Sequence, residues 1–571
     1  MHCGKKIAWA TDGPRGFGKV KVGTGRKASV AAASSSSASS LLEEGARATD
    51  DPRGKTGPEG PEATETAAGE EDGQPLLRGI FEIGKKSCDV VLSAQRLRWS
   101  PIQPERPVGG SGSSLEHKEE YIDMKDVFSI KLKRRRFIGQ QKGGLLLGIA
   151  VFVCRKKENK LKDSVINLNN LSEDHCYLWL KSLKEILNGF PNRPKSLKVF
   201  VNPSGCRKEA TRIYHEQVAP LFKLADIRTD VTVTKYEGHA LTLLKECELQ
   251  SFNGVVCIGG DGTASEIVHG LLLRAQMDAG RDGDDIFEPV KAKIPLGIIS
   301  AGSTNMLTHT LNGTDHVVTA TLHIILGHMQ PVDVCSFSSP TQLLRFGFCS
   351  VFGFGSRSLA LAEKYHWMPS DRRKEFAVIK TLANLKPEDC ELSFLPLKQH
   401  LQQGTQEYNR KKRERFQSDS KDQWQRIQGH FLNVSVMVIP CVCSMAPRGL
   451  APNTRVNDGS LTLIIVRNTS RVEFIRHLKR NASRKSQFNF PFVETYLVKE
   501  VRVRPRTKKE HDIGDDLNSI DSEEKIYPWN IDGDLMEWAS DVHIRVHPQL
   551  LNIYGGSVDA VDNIKEPCRS L

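Results

Sequence analysis

VVCIGGDGTASEI, residues 255–267, decides how this chain is read. Val255, Val256, Cys257 and Ile258 form a short unbroken apolar run, the pattern of a strand buried on both faces of a parallel sheet. Thr263 to His269 read as the first turns of a helix. Between them, Gly259, Gly260 and Gly262 admit backbone angles closed to other residues and let a bulky anion approach the amides at the helix start. Asp261 falls among those amides. Asp-Gly is also the commonest two-residue hairpin signal, so the motif alone leaves strand–turn–helix and hairpin both open.

The flanking sequence separates them. LKVFVN at 197–202 reads as strand, KEATRIYHEQVAPLFKLA at 208–225 as helix, DVTVT at 230–234 as strand and GHALTLLKECELQ at 238–250 as helix. GVVCI is strand again, ASEIVHGLLLRAQ at 264–276 helix, and IPLGIIS at 294–300 strand. Such β-α repetition implies a parallel sheet covered by helices on both faces. The motif then lies at the carboxyl end of a parallel strand, where open α/β sheets bind ligands, and the hairpin falls away.

Outward from this core the texture changes twice. Residues 1–75 are rich in Ser, Ala, Gly and Glu without any hydrophobic period and are expected to be disordered. From Leu76, LLRGIFEI, CDVVLS, RLRWSPI, EYIDMKDVFSIKLKRRR and LLLGIAVFVCR read as serial strands. They end in SEDHCYLWLKSLKEILNGF at 172–190, where Ser172 caps a helix whose apolar stripe is Leu178, Trp179, Leu183, Ile186 and Leu187. Serial strands closed by one tryptophan-bearing helix resemble a pleckstrin-homology domain. Beyond about residue 332 helices become scarce. LLRFGFCSVFGFG, CELSFLP, HFLNVSVMVIP, LTLIIVRN, VETYLVKEVRVRP and DVHIRVHP read as an antiparallel sandwich, broken by charged insertions near 400–424 and 506–526.

Composition bounds the function. A chain of 571 residues has room for several domains. Its formal net charge of +12 favours acidic partners: nucleotides, anionic lipid headgroups or nucleic acid. The longest apolar run, LLLGIAVFVC at 145–154, is too short to span a bilayer, and the amino-terminal residues lack a signal-peptide core. The 13 cysteines lie mostly in apolar segments and read as reduced thiols. Cys441 and Cys443 are poorly spaced for zinc, and no Ser-His-Asp or HExxH pattern supports hydrolysis. A cytoplasmic and nuclear address with peripheral endomembrane association is expected. The basic run KLKRRR, Lys131 to Arg136, admits three readings: a phosphoinositide ligand, a nuclear import signal, or a solvated strand face. No specific nucleic-acid recognition is predicted.

Three turns now fall at successive strand ends: VNPSG at 201–205, GGDGT at 259–263 and SAGSTN at 300–305. Each offers amides and hydroxyls to one sheet edge, as a phosphate chain requires. With APRGLAPNTRVNDGSL at 446–461 and DGD at 532–534, they resemble the diacylglycerol kinase catalytic superfamily, which includes sphingosine and ceramide kinases. The pleckstrin-like front end makes the ceramide kinase branch the closest resemblance, over roughly residues 76–550. It implies a multidomain α/β plus all-β chain: a disordered tail (1–75), a pleckstrin-homology-like domain (76–192), an α/β catalytic domain (196–331), a β-sandwich (332–551) and a tail (552–571).

The resemblance also implies ATP and Mg2+ as cofactors, with a lipid hydroxyl attacking the terminal phosphate and Asp261 orienting and deprotonating that hydroxyl. Nucleotide contacts carried over by position are Asn202, Pro203, Gly205, Thr234, Gly259, Gly260, Gly262, Thr263, Glu266, Ala301, Gly302, Ser303, Thr304, Arg372, Asp532, Gly533 and Asp534. A soluble NAD kinase shares the GGDG turn but is disfavoured by the front end.

Departures from the family pattern are many. NPSGCRKEA places Cys206, Lys208 and Ala210 where glycines are expected, Thr234-Lys235 replaces Thr-Glu, and Ser300 replaces a proline. In GFGSRSLALAEKY at 353–365, Arg357 and Leu359 replace two aspartates that serve the lipid head, and the late Asp-Gly-Glu has become Asp532-Gly533-Asp534. Lys208, Lys235 and Arg357 remain as cations able to attract phosphate. Two functions are therefore expected. The first is a lipid-kinase fold that binds nucleotide and lipid with weak or lost phosphoryl transfer and acts as a regulatory interaction protein in lipid signalling. The alternative is an active ATP-dependent kinase of a ceramide-like or other lipid hydroxyl.

Overall fold

The computed structural model describes residues 74–102, 119–135, 143–204, 209–281, 288–340, 342–397, 423–483, 487–506, 527–538 and 541–556. Nearly all of the amino-terminal tail, most of both charged insertions and Gly205 to Lys208 of the first loop lie outside these residues.

The first unit contains β1 (Leu77–Ile83), β2 (Lys86–Leu92), β3 (Arg96–Pro101), β4 (Glu120–Asp123), β5 (Val127–Arg135), β6 (Leu145–Lys157), β7 (Lys160–Asn169) and α1 (Glu173–Asn188). Its strands form one antiparallel sheet in the order β4-β3-β2-β1-β7-β6-β5. Ser172 Oγ accepts the His175 amide at 3.4 Å and so caps α1. Cys176, Trp179 and Leu183 of α1 are buried against the sheet, Trp179 edge-on to Phe81 at 4.9 Å between centroids. Leu178, expected on this stripe, is 52% exposed. At 100° per residue it falls outside the arc shared by positions 176, 179 and 183.

The second unit contains β8 (Ser196–Val201), α2 (Ala210–Ile213), α3 (Ala219–Leu224), β9 (Arg228–Val233), α4 (His239–Glu246), β10 (Gly254–Gly259), α5 (Asp261–Asp278), β11 (Leu296–Ser300), α6 (Met306–Asn312) and α7 (Val317–Leu326). Strands β11-β10-β8-β9 pair in parallel, as the alternation predicts. Every residue of β10 is buried, which accounts for its unbroken apolar sequence. The helix expected across 208–225 is instead divided by a π turn at Tyr214–Val218. Pro220 lacks the amide that an α-helix would direct to the Glu216 carbonyl. Helix α5 starts at Asp261, earlier than Thr263, so the acid belongs to the first helical turn.

The remaining strands are β12 (Met329–Ser338), β13 (Leu343–Gly347), β14 (Cys349–Gly353), β15 (Glu388–Pro396), β16 (Gln425–Met437), β17 (Leu461–Arg467), β18 (Val493–Pro505), β19 (Tyr527–Ile531), β20 (Asp534–Trp538) and β21 (Val542–Tyr554). Strands β16 and β18 each pair with β15 along one half and β17 along the other, so both pass between the layers of a sandwich. The helices here are α8 (Phe354–Lys364), α9 (Ser370–Ala383) and α10 (Arg471–Arg480). The strand expected to run through Gly355 stops at Gly353, whose φ of +98° suits glycine and lets α8 begin. Strand β21 pairs antiparallel with β12 and meets β11 in parallel at Leu296–Ile553, joining the sandwich to the parallel sheet.

The first unit also shares a core with the second. Phe128 and Cys154 pack with Val199, Leu221, Phe222 and Ile324. Arg193, between the units, donates to the Val127 and Lys125 carbonyls at 2.6 and 2.7 Å, and Leu161 donates to Thr319 Oγ1 at 2.9 Å. Within the basic run, Lys131 pairs with Asp226, Lys133 donates to Asn169, and Arg134 donates to the Gly144 carbonyl and Tyr177. Arg136 lies outside the described residues. Among the described residues, no helix is long and apolar enough to cross a membrane.

Candidate functional site

The loops that follow β8, β10 and β11 meet at one end of the parallel sheet. The Ala301 amide donates to the Gly259 carbonyl at 2.8 Å, and the Asn202 amide to the Ile258 carbonyl at 3.0 Å. Asn202 also donates through Nδ2 to Thr263 Oγ1 at 2.8 Å, fastening the first loop to α5. Its Oδ1 accepts the Ser204 amide at 2.9 Å, closing the turn that contains Pro203. Thr234 is buried behind this loop, with both its amide and its hydroxyl on the Val201 carbonyl. Gly205 lies outside the described residues.

Two glycines set the spacing. A Cβ on Gly302 would stand 2.6 Å from Gly260 Cα, so the second and third loops touch backbone to backbone. A Cβ on Gly259 would stand 2.9 Å from Thr263 Cβ. Asn305 holds the third loop from a left-handed conformation, φ +53°, accepting the Gly302 amide at 3.0 Å through Oδ1. Ser303, next to Thr304 on the exposed shoulder, accepts from Lys374 Nζ at 2.9 Å. That contact brings the first turn of α9, including exposed Arg372, to the loop. A glycine cradle with cations at its rim fits a polyphosphate.

The acids of the site are already engaged. Asp261 accepts the Met306 and Leu307 amides at 3.0 and 2.9 Å, one on each carboxylate oxygen, and so holds the start of α6. Glu266 accepts the Leu241 amide at 3.0 Å and ties α5 to α4. Asp532 is buried, accepting the Phe348 and Cys349 amides and the Ser265 hydroxyl. Burial drives its carboxyl above the usual range, against the pull of Ser265, Arg345 and the two amides. Gly533 takes φ +92° and turns the chain back to Asp534. Asp534 pairs with Arg345 at 2.7 Å, and its Oδ1 lies 2.9 Å from where a Gly262 Cβ would be. Among the described residues, no group of three or more His, Cys, Asp or Glu side chains is arranged to hold a metal ion. Magnesium at such a site is ordinarily held by one or two carboxylates together with phosphates; here Asp532 and Asp534 are committed to protein donors, and each Asp261 oxygen already accepts an amide.

The lipid-head segment requires a correction. Arg357, read from sequence as a cation able to attract phosphate, pairs with Glu388 at 3.2 Å and donates to the Lys386 carbonyl. Its charge is committed to joining α8 and β15. Leu359 is half-buried on the same helix. His239 accepts the Lys235 amide and His269 the Phe346 amide. Burial, then Arg345 and Lys245, lower His269 to about 3.

Arg345, Ser265 and Lys374 join this site without a sequence forecast, whereas Asn305 falls within the forecast SAGSTN turn. Arg345 carried a signal, a lone cation inside the apolar run LLRFGF, whereas its partners lie far along the chain.

Comparison with known proteins agrees with this geometry. The Ceramide kinase PH domain model matches residues 77–183, the Diacylglycerol kinase catalytic domain model residues 196–337, and the Ceramide kinase C-terminal domain model residues 348–571. Ceramide kinase-like protein of Homo sapiens is 59% identical over 85% of this chain and 91% of its own length. Ceramide kinase of Mus musculus is 31% identical over 85% of this chain and 98% of its own, and that of Homo sapiens 31% identical over 71% and 82%. With its three regions matched in order and relatives of this similarity aligned along most of their length, the chain belongs to the ceramide kinase family and has a lipid-kinase fold.

Proposed function

We propose that the chain binds a nucleotide in the cradle of Gly260 and Gly302 and a lipid or anionic membrane surface through its amino-terminal β unit, with weak or lost phosphoryl transfer. It then acts as a regulatory interaction protein in lipid signalling, in cytoplasm and nucleus with peripheral association at endomembranes. This reading assigns lipid binding to residues 76–192, nucleotide binding to 196–331 and the closing sandwich to 332–551. ATP is the expected nucleotide, as for kinase relatives.

The observation that carries the reading is Arg357. The first turn of α8 has no acid, and the cation there is spent on Glu388 and the Lys386 carbonyl. A lipid head thus loses the carboxylates that would orient its hydroxyl, while the nucleotide cradle keeps its backbone contact. Phosphoryl transfer depends on positioning both reactants for one in-line transition state, so losing one side lowers transfer more than nucleotide binding. Full-length protein incubated with labelled ATP and ceramide, sphingosine or diacylglycerol should give no labelled lipid while calorimetry detects ATP. Robust labelling of any of these lipids would overturn the reading.

The second reading, an active kinase of a ceramide-like hydroxyl, is favoured by Asp261. Its carboxylate is fixed at the start of α5 by two amides, as a general base for the acceptor hydroxyl requires.

A further inference from the structure

Arg345 lies on β13, and it contacts both the α/β unit, through Ser265, and the sandwich, through Asp534. Its Nη1 pairs with Asp534 at 2.7 Å, and its Nη2 donates to Ser265 Oγ at 3.2 Å. Ser265 Oγ in turn donates to Asp532 at 2.7 Å. The Asp534 carboxylate faces the first turn of α5, against Gly262. Arg345 Nε is buried with no acceptor, so the guanidinium retains donor capacity beyond these bonds.

A polyphosphate in the cradle meets an electrostatic obstacle here. Asp534 and Asp261 both stand at the start of α5, where the phosphates would approach. Kinases of nucleotides ordinarily screen such charge with a divalent ion bound through one or two carboxylates and the phosphates. Asp261 has an amide on each oxygen, Asp532 is buried and saturated, and Asp534 already holds a cation. We propose that Arg345 replaces the divalent cation beside Asp534, so that the cleft takes a nucleotide polyphosphate without a divalent metal.

Guanidinium suits that role. It binds carboxylate and phosphate oxygens in a planar fork. Its charge is carried by the chain, so it neutralises Asp534 permanently rather than entering and leaving with a nucleotide. It also cannot move with a phosphoryl group, which makes it a device for holding phosphates. This inference rests on the nucleotide-binding reading above and adds that the metal is dispensable.

The test is calorimetric titration of the full chain with ATP, in EDTA and in Mg2+. The two dissociation constants should agree within about threefold. In EDTA, Arg345→Gln should weaken binding by about tenfold or more, because Asp534 is left unscreened against the phosphates. The double variant Arg345→Gln, Asp534→Asn should recover most of that loss, with circular dichroism verifying its fold. Should Arg345→Gln fail to fold, Asp534→Asn alone serves: it should bind ATP in EDTA at least as tightly as the unaltered chain. A tenfold weakening in that variant overturns the inference. Binding that appears only with Mg2+ overturns it and leaves the nucleotide reading standing. Binding under neither condition overturns both.

Discussion

Replacing Gly302 by alanine should separate loops that now touch, whereas the same change at Gly260 should be tolerated. The Cβ added at Gly302 would stand 2.6 Å from Gly260 Cα and 3.0 Å from Asn305 Oδ1. The Cβ added at Gly260 would stand 3.4 Å from Gly302 Cα, an ordinary contact, and φ at Gly260 is −94°, open to any residue. Relief at Gly302 requires the backbones to part by about 0.8 Å, the difference between 2.6 and 3.4 Å. Overpacking of that kind costs about 1–3 kcal/mol. The displacement falls on the cradle itself, so ATP affinity should fall by about tenfold or more, each tenfold corresponding to about 1.4 kcal/mol. Gly260→Ala should change stability by less than about 1 kcal/mol. Urea denaturation and ATP titration of both variants give the measurement. Equal effects at the two positions, or a neutral Gly302→Ala, would refute the claim that backbone contact shapes the cradle.

Several other outcomes follow from the same geometry. Arg357→Asp should cost about 1–3 kcal/mol in urea denaturation, because it sets a carboxylate against Glu388, and it should yield no labelled lipid with or without Leu359→Asp. Rescue of transfer should require glycine at Cys206, Lys208 and Ala210 as well, and should be non-additive in kinase assays. Phe128→Ala should cost about 3–5 kcal/mol and split the calorimetric unfolding peak, whereas Lys131→Ala should cost less than about 1 kcal/mol, since its partner Asp226 is exposed. Burial lowers His269 to about 3 and His323, His477 and His547 to about 4, so the unfolded chain binds more protons below its ordinary histidine value of 6.5. Stability should be full above that value and fall on acidification toward pH 4, by up to about 1.4 kcal/mol per pH unit for each histidine. Thermal melts across that range check it.

How much of this was legible in sequence depended on the length of the interaction. Local periodicity forecast the parallel sheet, and Val255 to Ile258 are buried as their unbroken apolar run required. Ser172 capped α1 from its residue type and position alone. Failures came where tertiary contacts choose. Leu178 looks apolar enough for a core stripe but lies outside the buried arc, and the helix over 208–225 is interrupted by a π turn at Tyr214–Val218. Helices α8 and α9 were hidden because glycine-rich and charged segments beside strands lack a clean helical stripe. The site itself was half visible. Its glycine loops are contiguous words in the sequence, but the Arg345–Asp534 pair and the engagement of Arg357 by Glu388 join residues whose separation no periodicity encodes.

The late DGD motif shows why the catalytic fold does not stop with the α/β unit. Asp532 accepts from Ser265 on α5 and from the Phe348 and Cys349 amides where β14 begins, so one buried carboxylate fixes the glycine-loop helix to the sandwich. Gly347 has no room for a side chain there, since a Cβ would lie 2.3 Å from Asp532 Oδ2. A buried charge of this kind is tolerated only while every donor remains in place, and removing one donor costs the group its compensation for lost hydration. The amides of Phe348 and Cys349 cannot be mutated away, but they are positioned by β14 pairing with β16 and β19. Damage to the sandwich therefore reaches the glycine cradle through Asp532 and Ser265 without touching a residue of the glycine loops. The same chain of contacts makes Asp532 the point at which two domains hold one site, leaving Asp534 and Arg345 to set its charge.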